Sequence, residues 1–273
     1  MSDISLNAST RTNLLALQKN TASIDRTSLR LSTGKRVNAA TDNVRAFILA
    51  KALADRAGDL LSIKEPIGQS LSTVGGALDG LKAIKRLVEQ LKATANDATD
   101  QTAAGRAEQA ARFDSIRAQL DSIARDANFN GIGLIASSPD SLTVTFDKTN
   151  GSSLTISGVA SDTKALGIGD GAVAFNNFAT DADIQAAIDA LDNAVTTLRS
   201  TESQLGNNAG VLNTRLDFTQ DLANSLATGA DKLTGADLNE EAASLLALNV
   251  ARSLSINSLN ITNKSQQSVL QLF

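Results

Sequence analysis

Residues 6–36 read LNASTRTNLLALQKNTASIDRTSLRLSTGKR, and the spacing inside this stretch decides the fold. Leu14, Leu17, Ile24 and Leu31 fall on a register that alternates steps of three and four, with Thr21 and Ser28 at the remaining positions. That is one face of an amphipathic α-helix whose apolar seam is diluted by hydroxyls. The helix is expected over residues 6–33. Gly34 follows at the position just past a helix end, where a left-handed backbone costs glycine little, and Lys35 and Arg36 sit beside the carbonyl end, which favours cations. A linker then runs through Val37, Asn38, Ala39 and Ala40.

The opposite end of the chain has the same character. Residues 253–273, SLSINSLNITNKSQQSVLQLF, mix apolar side chains with a high density of Ser, Asn and Gln. Ile256, Leu259, Ile261, Val269, Leu270, Leu272 and Phe273 spread around the helix instead of forming one stripe, so a single neighbouring surface cannot bury them. Ordering about 35 residues costs roughly 1–2 kcal/mol each in backbone entropy, more than one weak seam offsets. The expectation is that both ends are disordered in the free monomer and fold when subunits associate, with polar side chains pairing across subunit contacts. The competing expectation is a plain intramolecular helical pair. Leu14, Leu17, Ile24, Leu31, Ile256, Leu259, Val269, Leu270 and Phe273 are the expected packing residues of this assembly core.

Between the ends, a second helix is expected from Val44, capped by Thr41 or Asp42, with Pro66 kinking or interrupting it and Gly75, Gly76 and Gly80 weakening it further. Phe113, Ile116, Leu120 and Ile123 recur at helical spacing. The period then changes: Leu142, Val144 and Phe146 alternate with Thr143 and Thr145, and Leu154 and Ile156 alternate with Ser153, Thr155 and Ser157, across a turn containing Asn150 and Gly151. This reads as a β-hairpin in a central insert. A further helix is expected from about Asp181 to Leu226, then a glycine-containing linker near Gly229 to Gly235 and a last helix from about Asp237. The order of elements is palindromic and lets the two ends pair. The fold class is therefore mainly α: a long antiparallel helical bundle or coiled coil formed by the N- and C-terminal regions, with a small central β-hairpin insert.

Composition narrows function. Of 273 residues, 42% are hydrophobic, but only 3% are aromatic, so the core is built from Leu, Ile, Val and Ala. The absence of Cys excludes disulfides and thiolate sites, and the absence of His removes the usual general base and commonest metal ligand. A formal charge of -4 gives no general attraction to nucleic acid or anionic lipid. The opening MSDISLNASTRTNLLALQ lacks the pattern of a secretory signal peptide, and no apolar stretch approaches the ~20 residues of a membrane span. Glu240 and Glu241 read as the first turn of a helix, where carboxylates complement the dipole. Arg11, Lys19, Arg26 and Arg30 read as a solvated or inter-subunit face. No catalytic residue, cofactor or metal ligand is expected. An enzyme acting through Ser and Lys lacks a Gly-flanked Ser motif.

LSTGKRVNAATDN at residues 31–43 resembles the N-terminal signature of bacterial flagellins, carried here by Leu31, Gly34, Arg36, Asn38 and Asp42. NFNG at 128–131 (Asn128, Phe129, Asn130, Gly131) resembles that family's junction of core and variable insert. LTGADLNEEAASLLALNVARSLSINSLNITNKSQQSVLQLF, with its aliphatic ending, is similar to the family's carboxyl end. The match is to a short flagellin of alphaproteobacterial type.

The resemblance implies a non-enzymatic subunit that polymerises into an extracellular flagellar filament. It implies an inner-core helix over 1–36, a linker over 37–43, an outer-core helical part over 44–129 and a surface β insert over 130–178. A second outer-core part over 179–229, a linker over 230–236 and an inner-core helix over 237–273 complete the expected domains. The implied partners are further copies of the chain, sister flagellins, the flagellar export apparatus, an export chaperone, and cap and hook–filament junction proteins. Export independent of the general secretory route is implied as well, without nucleic-acid partners or membrane insertion. The sequence departs from the family pattern after the signature, at Asp42, Asn43, Val44, Arg45 and Ala46. Leu87 in LVEQLKAT (87–94) stands where immune-recognised members have Arg, which implies weak recognition by the innate receptor. A hook–filament junction protein and an unrelated helical adaptor are the alternatives.

Overall fold

The computed structural model describes residues 8–147 and 151–270. In them the chain is mainly α: α1 (Ala8–Thr33), α2 (Val44–Asp97), α3 (Ala103–Asp126), strands β1 (Ser141–Thr145) and β2 (Ser153–Ser157), α4 (Asp181–Thr234) and α5 (Leu238–Leu270). The chain divides into two compact units. One takes in the described residues up to Ala57 and from Asn224 on, the other Gly58–Ala223.

The second unit is organised by a strict periodicity. Along α2, Ile63, Ile67, Ser70, Val74, Ala77, Leu81, Ile84, Val88, Leu91 and Ala95 alternate steps of four and three, and all are buried. Along α4, Ile184, Ala187, Leu191, Ala194, Leu198, Thr201 and Leu205 do the same. This is the seam spacing of coiled coils. The two helices run antiparallel, since Lys64 bonds Gln220 at 2.8 Å while Lys92, further along α2, bonds Asp192, further back along α4, at 2.6 Å. Hydroxyls that enter the seam are satisfied locally. Ser70, Thr94, Thr201 and Thr219 each donate to the carbonyl four residues back, and no buried side-chain polar atom among the described residues lacks a partner.

Pro66 does not interrupt α2, which is continuous from Val44 to Asp97 through Pro66, Gly75, Gly76 and Gly80. Ile63 and Ile67 on either side of the proline are buried in the seam, whereas Pro66 itself is exposed. The carbonyl that loses its donor therefore lies on the wet face, where water replaces the bond, and seam burial outweighs the local cost.

Residues 130–178 share this core. Leu134, Ile135, Leu142, Val144, Phe146, Ile156, Ile168 and Phe178 belong to the same buried cluster as the helices. NFNG has a conformational basis: Phe129 and Ile132 exchange both backbone hydrogen bonds, at 3.1 and 3.0 Å. Asn130 (φ 51°) and Gly131 (φ 81°) form the reversal between them, which is what a two-residue turn with positive φ at both centres requires. The hairpin is antiparallel, pairing Leu142 with Ile156 and Val144 with Leu154. Its turn residue Gly151 has φ 65°, and Asn150 lies outside the described residues. Phe113 of α3 meets Phe178 and Phe175 edge-on, with ring centroids 5.5 and 6.0 Å away.

Three polar residues on α3 fasten the returning loop. Asp121 accepts from the Thr163 amide and hydroxyl, Arg117 donates to the Ile168 carbonyl, and Asp114 accepts from the Gly171 and Ala172 amides. The chain then enters α4 through a reciprocal cap: Thr180 Oγ1 accepts from the Asp183 amide, and the Asp183 carboxylate accepts from the Thr180 amide and hydroxyl. These bonds, led by the Thr180 hydroxyl, hold the Asp183 carboxyl below its ordinary range.

In the first unit α4 outruns its expected end near Leu226. It stops only at Thr234, so residues 230–234 are helical and the link to α5 is Gly235–Asp237, shorter than the expected 230–236. Ala230 and Thr234 are buried, and this packing outweighs the weak helix propensity of Gly229.

Candidate subunit interface

The first unit brings together α1, α5 and the two short links that join them to the long helices. Arg30 Nη1 donates to Glu241 at 3.1 Å and Asn13 Nδ2 donates to Ser258 at 3.4 Å. The contacts step back along α1 by the same number of residues as they step forward along α5, so the pair is antiparallel and in register. On α1 the seam of covered residues is Thr10, Asn13, Leu17, Asn20, Ile24, Thr27 and Leu31, again in alternating steps of three and four, with Ser23 and Arg30 half-buried beside it. Four of these seven positions, Thr10, Asn13, Asn20 and Thr27, are polar.

The pairing face therefore differs from the expected one. Leu17, Ile24 and Leu31 lie in it, half-buried, and Leu259 of α5 is half-buried too. Leu14 and Ile256 are exposed, because the helix turns Asn13 and Asn20 toward its partner in place of Leu14 and Thr21. The side chains of Val269 and Leu270, and all of Phe273, lie outside the described residues. A further apolar set, of which the sequence pattern brings out only Ile261, lies open. Leu246 (69% exposed), Val250, Leu254 (63%) and Ile261 (69%) stand on the open side of α5, and Leu15 and Leu29 on the open side of α1. The four-residue steps from Leu246 to Val250 to Leu254 are the signal that identifies this ridge. Leu246, Val250, Leu254 and Ile261 of α5 thus stay open, while its covered positions are Glu241, Ser244, Leu245, Leu248, Ala251, Ser255 and Leu259.

The two links cross and bond to each other. Gly34 has φ 68°, the left-handed turn expected at a helix end. Its carbonyl accepts from the Ala236 amide at 3.0 Å, and the Thr234 carbonyl accepts from the amides of Arg36 and Val37 at 2.7 and 3.2 Å. Val37 is buried at this crossing, beside a cavity of about 230 Å³ lined by Phe47, Ala50, Ala54, Ala230 and Thr234 among others. The signature residues take their meaning here. Asp42 accepts from the amides of Asn38 and Ala39 at 2.9 and 3.0 Å, and Asn38 Nδ2 donates to the Lys35 carbonyl. Bonds from the Ala39 and Asn38 amides hold the Asp42 carboxyl below its usual range. Neither Thr41 nor Asp42 caps α2. Asn43 does, its Oδ1 accepting from the Ala46 amide at 3.0 Å, because Asp42 is already engaged in the turn behind. Asp237 caps α5 through the amides of Asn239 and Glu240.

Among the described residues no group of His, Cys, Asp or Glu is placed to hold a metal ion, and no helix is long and apolar enough to cross a membrane. What the site offers is surface: apolar ridges on two paired helices, spaced by amides and hydroxyls.

Comparison with known proteins places the same segments. Residues 4–139 match the model of the bacterial flagellin N-terminal helical region, and residues 188–273 that of the C-terminal helical region. Flagellin FljM of Caulobacter vibrioides is 30% identical, the match covering 100% of this chain and 99% of the relative. Flagellin FljO of the same species is 32% identical over 95% of each. A flagellin of Brucella melitensis is 26% identical over 100% of this chain and 99% of its own.

Proposed function

Because the chain belongs to the bacterial flagellin family and is a structural, non-enzymatic subunit of the extracellular flagellar filament, we propose that α1 and α5 are its polymerisation surface. The observation that carries this reading is the ridge of Leu246, Val250, Leu254 and Ile261, exposed although α5 already has an intramolecular partner. Apolar patches of that kind mark association sites. Burial of the ridge by neighbouring copies supplies the driving force, and Asn, Ser and Thr side chains fix register. The residues 1–36 and 237–273 then form the inner core of the polymer, and the unit built on α2, α3 and α4 the layer around it. On this reading the ends gain much of their order on association.

The finer partners belong to the same proposal: sister flagellins in the lattice, a flagellar export apparatus and chaperone acting before assembly, and the cap and hook–filament junction proteins at the filament ends. The test is seeded polymerisation of purified protein followed by electron microscopy. Long filaments grown from filament seeds are expected. Addition that stops after one layer would identify a junction protein instead, and a chain that never adds to seeds would overturn the reading.

A further inference from the structure

The open face of α1 carries an ordered stripe. Arg11, Leu15, Lys19, Ala22, Arg26 and Leu29 follow one another in steps of four and three, the spacing of one helix face, and every one is exposed. Cations alternate with apolar groups along it, and Leu15 stands 52% exposed between Arg11 and Lys19. Arg30, on the side that meets α5, is taken by Glu241. Arg11, Lys19 and Arg26 form no ion pair among the described residues.

Charge is divided unequally between the two units of the chain. Of the 29 Asp and Glu, 21 fall in residues 58–223, together with only 13 of the 25 Lys and Arg. That unit is therefore acidic, whereas the residues outside it, which include α1 and α5, hold more cations than carboxylates. On α4 the acidic surplus coincides with open apolar surface. Phe218 is 55% exposed, and Val211 lies two turns back on the same face. Asp217 and Asp221 flank Phe218, both exposed and in no ion pair among the described residues. Beside Val211, Gly206 and Gly210 leave the backbone open in a groove shared with Asn207 and Thr214, so another helix can approach closely there.

We propose that this strip of α4 receives the open face of α1 from a second copy of the chain, with Leu15 against Phe218 and with Arg11 and Lys19 against Asp217 and Asp221. Resting on the filament reading, the contact specifies which surface of a neighbour α1 meets, and it ties the inner core of one copy to the surrounding layer of another. Charge complementarity selects the occupant: a basic and apolar stripe faces an acidic and apolar strip, both presented by the same chain. The contact joins two different surfaces, so each copy gives its α1 stripe to one neighbour and its α4 strip to another. Head-to-tail contacts of this kind extend into open helical polymers when the rotation between copies does not close. The charges also reject wrong pairings, since two α1 stripes, or two α4 strips, brought face to face repel. The uncharged ridge of Leu246, Val250 and Leu254 has no such means of discrimination.

The test is a charge swap in seeded polymerisation of the full chain. Arg11→Glu with Lys19→Glu, and in a separate variant Asp217→Lys with Asp221→Lys, set like charges against each other. Each pair should raise the concentration needed for filament growth about tenfold or more, and because all four positions are exposed the circular dichroism of the monomer should stay that of wild type. The four substitutions combined in one chain restore the attraction with the signs exchanged, and growth should return to within about threefold of the wild-type concentration. Either pair growing at the wild-type concentration, or a combined variant that recovers nothing, would overturn the contact while leaving the proposed function in place. Wild-type chains that never add to seeds would count against the proposed function itself.

Discussion

Arg30, in the last turn of α1, donates to Glu241, in the first turn of α5, at 3.1 Å, with the Glu241 side chain only 12% exposed. Each charge also complements the dipole of its own helix end. The pair is therefore a clasp between the two termini at the point where both leave their links. Replacing Glu241 with Gln should weaken the α1–α5 pairing by roughly 1 kcal/mol, the range of a partly screened ion pair with a dipole contribution. Amide exchange in both helices should speed up together, and raising salt should erase the difference from wild type. The charge swap Arg30→Glu with Glu241→Arg restores the pair but opposes both dipoles, so full recovery of protection would refute the dipole component.

Asp42 predicts an acid-sensitive crossing. Its folded-state pKa lies below the unfolded value because the Ala39 and Asn38 amides donate to the carboxylate. A lowered folded pKa contributes stability that is present above the unfolded pKa, about 3.9, and is lost as pH falls through the folded one. The turn should therefore be indifferent to pH from neutrality down to about 5 and loosen below about 4. Amide shifts of Asn38 and Ala39 followed by NMR should titrate with the Asp42 carboxyl, and Asp42→Ala should remove that titration. Amide shifts that move near neutrality would contradict the assignment.

Pro66 gives a stability prediction of the opposite sign to most substitutions. Pro66→Ala restores a donor for the Ser62 carbonyl on the exposed side of α2 and relieves the ring clash, while leaving Ile63 and Ile67 in the seam. A proline inside a helix costs up to about 3 kcal/mol relative to alanine, and hydration of the freed carbonyl reduces that. Stabilisation of roughly 1–2 kcal/mol is expected in thermal or denaturant unfolding. An unchanged or lower midpoint would show that the proline is needed where it borders the cavity under Val144 and Thr145.

The sequence disclosed what local chemistry alone determines. The left-handed Gly34, the helix from Val44, the alternation of Leu142, Val144 and Phe146 and the helical spacing of Phe113 and Leu120 are properties of short windows, and all stand in the structure. Choices between nearly equal local options stayed hidden. Leu14 and Asn13 both belong to plausible seams of α1, and only the partner helix selects Asn13. Asn43 caps α2 because Asp42 is taken by amides that no spacing rule reveals. Gly229 reads as a break until Ala230 and Thr234 are seen buried. The fastening by Asp114, Arg117 and Asp121 depends on where a distant loop returns, which no period in the sequence encodes.

Two leucines separate monomer architecture from assembly. Leu17 lies in the seam between α1 and α5, whereas Leu254 stands 63% exposed on the open ridge of α5. Leu254→Ala removes little that the monomer buries, so its effect on monomer unfolding should stay within about 0.5 kcal/mol. In the polymer, burying a leucine contributes about 1.5–3 kcal/mol, and each ~1.4 kcal/mol is a factor of ten in concentration. The concentration needed to sustain filament growth should therefore rise roughly ten- to hundredfold for Leu254→Ala. Leu17→Ala should instead loosen the α1–α5 pair in the monomer, seen as faster amide exchange in both helices before any polymer forms. Sedimentation of seeded reactions across a concentration series measures the first quantity and exchange on monomer the second. If Leu254→Ala polymerised at the wild-type concentration, the ridge would not be a subunit contact, and the driving force would have to be sought on α1, at Leu15 and Leu29.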